Sequence, residues 1–183
     1  MVLFKRYLLI LPLLGFLACS KLSEYDNRQI KQALADSLLS TTESWNVDMN
    51  FIEDGFLILN LKGEYAFTIK NSEIHETRIQ GPVKIKIFDE GGKLESTVTC
   101  DSATYEPDNA LFQMFGEVRV ITEDGRKLRT EYLKWQRNQD RVSTDEFVIF
   151  ISPPDSIAAN GFFGDSDLTN YTLNEGGGQV VLD

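Results

Sequence analysis

The strongest constraint in this sequence is a passage written twice. GPVKIKIFDEGGKLESTVTC (Gly81 to Cys100) and GEVRVITEDGRKLRTEYLKW (Gly116 to Trp135) lie 35 positions apart. Each opens Gly-x-Val, alternates apolar with charged residues, turns through an acidic-Gly cluster and resumes at Lys-Leu with a second alternating run. Alternation of period 2 sends successive side chains to opposite faces of a pleated strand, so each copy spells two strands and a turn. Val83, Ile85 and Ile87 share one face, with Lys84 and Lys86 opposite. Val118 and Val120 lie opposite Arg119, and Leu133 and Trp135 opposite Lys134. Val98 joins the same apolar set from the alternating run TVTCD. One apolar face and one charged face is the pattern of an antiparallel sheet packed on one side only.

The repeat extends further. EPDNALFQMFGEV (Glu106 to Val118) aligns without gaps on QRNQDRVSTDEFV (Gln136 to Val148), so the Gly-x-Val position recurs at Val83, Val118 and Val148, at intervals of 35 and 30 residues. A period of this size marks stacked supersecondary units, each too small to bury its own apolar face. Turn chemistry breaks the runs at Asp89 to Gly92, Pro107-Asp108-Asn109, Asp124-Gly125, Asn138 to Asp140 and Pro153-Pro154-Asp155. Together these predict an all-β protein, an elongated antiparallel sheet of repeated hairpins over residues 45–175. A Gly-rich flexible tail follows at 176–183. In LFQMF the register is open: Phe112 and Met114 point inward, or Leu111 and Phe115 do, with Gly116 at a bulge. Met114 is placed in the lining. FVIFI (Phe147 to Ile151) is apolar on both faces; Phe147 and Ile149 are expected inward, leaving Val148 and Phe150 to pack beneath a neighbour or to form a docking surface.

The N-terminus reads differently. Lys5 and Arg6 precede the apolar run YLLILPLLGFLA, which ends in small Ala18 before Cys19. A basic start, an apolar stretch of this length and a small residue before a cleavage point read as a secretory signal over residues 1–18. Cys19 resembles the acylated cysteine of a bacterial lipobox, although Leu17 and Phe16 depart from that pattern. The alternative is an uncleaved anchor helix, which Pro12 would disturb. Either way the domain is expected to be membrane-tethered and outside the cytosol, on a polar tether over 19–44 with a helical stretch in RQIKQALADSLL. The formal net charge is −10; losing Lys5 and Arg6 with the signal would leave 16 basic against 28 acidic groups, a net −12. Nucleic acid is excluded as a partner, because phosphate binding needs clustered cations. Cys100 would then be the only thiol, which rules out an internal disulfide and makes it a small buried apolar residue.

No catalytic or metal constellation is legible, and no cofactor is implied. His75 is the only histidine, in a polar stretch without a Ser or Cys partner. GDSDLTN (Gly164 to Asn170) carries a fragment of a calcium-loop pattern but lacks its later ligands, and reads as a turn. What such a chain can offer is a long apolar interior between splayed sheet halves, where acyl chains gain about 0.8 kcal/mol per buried methylene. It also offers open strand edges for pairing with other chains.

Several of these stretches, in this order and spacing, resemble the LptC family. They are ESW (Glu43 to Trp45) with MNF before the first turn, DNALFQMFGEVRVITEDGRKLRTEYLKW, STDEFVIF and NGFFGDSDLTNYTL. The likeness covers about Trp45 to Leu173. The resemblance implies a β-jellyroll of the kind LptC shares with the soluble bridge protein LptA, and no catalysis. It implies a carrier that takes lipopolysaccharide from an inner-membrane ATP-driven permease and passes it to the bridge protein, docking by its N-terminal edge on the former and its C-terminal edge on the latter. The residues expected to line the acyl path are the inward set above, including Phe147 and Ile149. The family usually anchors through a membrane helix, from which a lipidated Cys19 would depart. The alternative is a surface or periplasmic lipoprotein whose closed β-sandwich binds glycans or serves as an assembly module.

Overall fold

The computed structural model describes residues 26–31 and 39–179, with side chains to Gly176. The chain divides into two units, Met1–Leu38 and Leu39–Asp183. In the first, residues 26–31 form an exposed helical turn. The signal segment, Cys19 and the rest of the tether lie outside the described residues.

In the second unit the strands follow one another as β1 (Ser40–Glu53), β2 (Phe56–Lys70), β3 (His75–Phe88), β4 (Leu94–Glu106), β5 (Leu111–Thr122), β6 (Lys127–Gln136), β7 (Arg141–Ser152), β8 (Asp155–Gly164), β9 (Tyr171–Leu173) and β10 (Gly177–Gln179). Each pairs antiparallel with the next through β8, a plain meander in which sequence neighbours are sheet neighbours. β9 and β10 both pair with β8, β9 along Phe162–Gly164 and β10 along Ser156–Ala158, and together they stand in for one ninth strand. β1 starts at Ser40, ahead of the expected Trp45. The Gly-rich stretch expected as a free tail contributes β10.

Every hairpin from β3 to β8 is interrupted in the middle. Register shifts fall between Gln80 and Val83, between Phe115 and Val118, and between Thr144 and Phe147, so β3, β5 and β7 each carry an extra residue relative to their partners. An extra residue bends a strand and increases its twist. Aligned across the sheet, the bulges form a crease. Gly81 and Gly116 sit in it at φ +87° and +73°, the left-handed region; a Cβ there would meet the side chains of Glu64 and Asp101 at 2.6 and 2.4 Å. The repeated Gly-x-Val is therefore the crease itself. The gap-free alignment of Glu106–Val118 on Gln136–Val148 is likewise structural: both begin with a 3-10 turn (Pro107–Asn109, Arg137–Gln139) closed by a left-handed residue, Ala110 or Asp140.

The crease folds the sheet on itself as a β-jellyroll. Met114 and Val120 are on one strand, and six residues span roughly 20 Å of extended chain. Both nevertheless border one small void with Ile87, Val98, Leu133, Trp135 and Val142. The halves on either side of the crease therefore face each other over one continuous apolar core. Each fully buried Leu, Ile or Phe in it contributes about 1.5–3 kcal/mol.

Candidate functional site: an apolar interior with a polar mouth

The interior is built from the inward residues of every strand. Val83, Ile85, Ile87, Val98, Met114, Val118, Val120, Leu133 and Trp135 are all buried on it. In LFQMF the inward pair is Phe112 and Met114, with Phe115 outward against Tyr132. Two expected members are not there. Phe147 is 56% exposed and Ile149 37%, whereas Val148 and Phe150 are fully buried. Pairing decides this: Val148 lies opposite Ala159, and Phe150 opposite Ile157 and Leu128. Phe150 also packs on Phe162 and Tyr171, at ring-centroid distances of 5.6 and 4.3 Å. Two apolar faces hid the phase, but the repeat had placed Val148 with Val83 and Val118, and the structure follows the repeat. Phe147 and Ile149 instead border a shallow outer hollow beside Glu117, Arg119, Arg129, Glu131 and Glu146. Trp45 is 66% exposed on edge strand β1.

Two sets of turns form the lips of the folded sheet, and they meet across a mouth. On one lip are the β1–β2, β3–β4 and β5–β6 turns; on the other are the two 3-10 turns and the 165–170 loop. Near β1 the lips are joined by apolar rings. Phe51 stands edge-on to Tyr105 and Phe112 at 5.1 and 5.8 Å, and Phe112 stacks on Trp135 at 5.2 Å. Beside these rings the Arg137 guanidinium pairs with Glu53. Near β8 the joint is polar. Arg126 Nη1 donates across the mouth to Thr169 Oγ1 at 3.1 Å and to the Asp167 carbonyl at 3.5 Å, while within the second lip the Ser166 N–H donates to Asp140 Oδ1 at 3.3 Å.

Between the two joints lies a cleft of about 650 Å³, whose rim carries Glu53, Asp89, Glu90, Glu95, Arg137 and Asp140. Ile87, Trp135 and Ser166 border both this cleft and the inner void, so they form the partition between them. The inner void holds only about 10 Å³, roughly enough for one water. Ligand sites for molecules of drug size need about 300–1,000 Å³. The interior is thus apolar, continuous and shut. The Trp135 Nε1–H, buried at this partition, has no acceptor among the described residues.

Electrostatics at the rim follow from crowded carboxylates. Burial pushes the Glu95 carboxyl up, and the charges of Asp167, Asp140, Asp89 and Asp165 add to it. Burial, with Asp165 beside it, also raises Asp167. Desolvation works against the Asp165 charge, but hydrogen bonds from Asp167, Asn170 and Thr169 outweigh it and hold this carboxyl low. The expected turn at GDSDLTN is thus a compact loop that uses Asp165 as an internal cap. Among the described residues, no group of three or more His, Cys, Asp or Glu side chains is arranged to hold a metal ion. His75 Nδ1 lies 3.0 Å from Asp108 Oδ1 on the surface. Cys100 is buried, and desolvation pushes its thiol up to about 12, so it stays protonated and unreactive.

The sequence model of LptC, described as lipopolysaccharide-assembly, LptC-related, matches residues 7–176. The chain belongs to the LptC family. No curated protein matches the chain closely enough to compare. Membership together with the jellyroll implies a part in lipopolysaccharide transport, in association with the inner membrane on its periplasmic side. No described helix of this LptC-related chain is long and apolar enough to cross a membrane.

Proposed function

We propose that this LptC-related chain is a tethered periplasmic carrier that accepts lipopolysaccharide from an inner-membrane ATP-driven permease. It holds the acyl chains between the two halves of its folded sheet and passes them to a soluble bridge protein of the same fold. The observation that carries the reading is the continuous inward face running from Val83 through Val120 to Trp135, predominantly apolar and creased so that its halves oppose. An acyl chain needs no polar recognition there, since each buried methylene contributes about 0.8 kcal/mol. The acidic rim supports a division of labour: at net charge −10 the chain is ill suited to grip phosphates, so head-group sugars stay in solvent. The lining set is the nine buried residues above, joined by Val148 and Phe150; Cys19, or an uncleaved N-terminal helix, supplies the tether. The free edge of β1 is the docking edge for the permease, and the short-stranded β9–β10 edge for the bridge protein, both through strand addition.

The shut interior supports the second reading, a lipoprotein with a closed core that serves as an assembly or glycan-binding module. In-cell photocrosslinking separates the two. A photoreactive side chain at inward Val120 is expected to yield a lipopolysaccharide adduct, and one at outward Arg119 is not. Absence of lipid at both positions in a well-expressed, folded chain rejects the carrier.

A further inference from the structure

The carrier reading meets a physical obstacle: a void of about 10 Å³ admits no acyl chain. Some part of the lining must give way, and the strands are poor candidates. β2 to β8 are tied by ladders on both sides, and their inward residues form a single packed core with those of β1. The 165–170 loop is different. Leu168 enters the core with no exposed surface, and Ser166 borders the void beside Ile87 and Trp135. Leu168 does so at φ +59°, a left-handed backbone that a branched side chain adopts only at a cost.

The loop is also self-contained. Asp165 accepts from the Thr169 N–H at 2.8 Å and from Asn170 Nδ2 at 2.8 Å. The Leu168 N–H donates to the Asp165 carbonyl, and the Asp165 N–H to that of Asn170, both at 3.2 Å. Lifted as one body, the loop keeps these bonds. Among its described contacts with the lips it forfeits the burial of Leu168, the two Arg126 donations and the Ser166–Asp140 bond. Crowding of Asp165 and Asp167 against Glu95 favours the same movement.

We propose that the 165–170 loop is a displaceable stopper, whose Leu168 occupies in the empty chain the space that a lipid acyl chain takes when it enters through the cleft. The proposal rests on the carrier reading and assigns that site its regulation: the interior opens at the β8 end of the mouth, and the ring joint near β1 stays closed.

The test keeps the photoreactive side chain at Val120 of the full-length, membrane-tethered chain in cells. Arg126→Ala, which removes the polar joint, and Leu168→Ala, which shrinks the stopper, are each expected to raise the lipopolysaccharide adduct several-fold at equal chain level. Leu61→Ala, a fully buried core substitution on β2, controls for general loosening and is expected not to raise it. Unchanged yield in Arg126→Ala and Leu168→Ala overturns the stopper, and so does an equal rise in Leu61→Ala. If Leu168→Ala lowers the chain level, Arg126→Ala alone decides, because its side chain lies at the rim. A parent chain with no adduct at Val120 overturns the carrier reading instead, so the two failures are distinguishable.

Discussion

The two joints across the mouth face the same task and solve it with different chemistry. Near β1, Phe51, Tyr105, Phe112 and Trp135 form a chain of ring contacts between 4.4 and 5.8 Å, contributed by four different strands. Near β8, one leucine packs into the core, two Arg126 hydrogen bonds hold its loop to the opposite lip, and a third ties the loop to the neighbouring 3-10 turn. Rings that each remove large apolar areas from water make a joint that opens only with the fold. Hydrogen bonds exchanged with water contribute about 0.5–1.5 kcal/mol each, so the polar joint lies within reach of local opening. The difference assigns permanence to one end of the mouth and mobility to the other.

The largest effect should come from removing the central ring of the apolar joint. Phe112→Ala is expected to cost about 3–5 kcal/mol, read as a lower urea midpoint with unchanged m-value. Leu168→Ala should cost less, about 2 kcal/mol, because a loop can retract where a strand cannot. The comparison breaks if the two variants are equally destabilised. Glu95→Gln sharpens it electrostatically. The folded chain raises this carboxyl, so at neutral pH its charge opposes folding, and that penalty fades as pH falls through the raised value. The glutamine variant is therefore expected to be more stable at neutral pH by about 0.5 kcal/mol or less after solvent screening, and to lose the advantage as pH falls toward the ordinary carboxylate range. Thermal melts at several pH values check the sign. The smallest effect belongs to Glu53→Gln, which removes the exposed ion pair beside the rings. Its melt should shift by about 0.5 kcal/mol or less, and a larger loss would mean that the β1 joint is electrostatic rather than apolar.

Much of this was legible before any coordinates. Lys84 and Lys86, Arg119 and Lys134 mark an outer face, and the residues between them had only the interior left. Gly116 was placed at a bulge because an alternating run that contains glycine often kinks there. FVIFI was misread because alternation carries no phase when both faces are apolar; the neighbours Ala159, Ile157 and Leu128 supply it instead. Trp45 is exposed because a sheet must end somewhere and its edge strand β1 has a partner on one side only. Leu168 left no periodic signal at all. It stands alone in a polar loop, and its burial depends on the fold bringing that loop onto the core.

Local chemistry, then, determined the strands, their turns, the inward face and the repeated crease, because side-chain alternation and left-handed glycines are properties of neighbouring residues. Only the tertiary structure decided that the crease closes the sheet on itself, and that one end of the mouth is shut by rings and the other by a loop. Those outcomes depend on residues far apart in the chain meeting in space, and no spacing along the sequence encodes the distance between them.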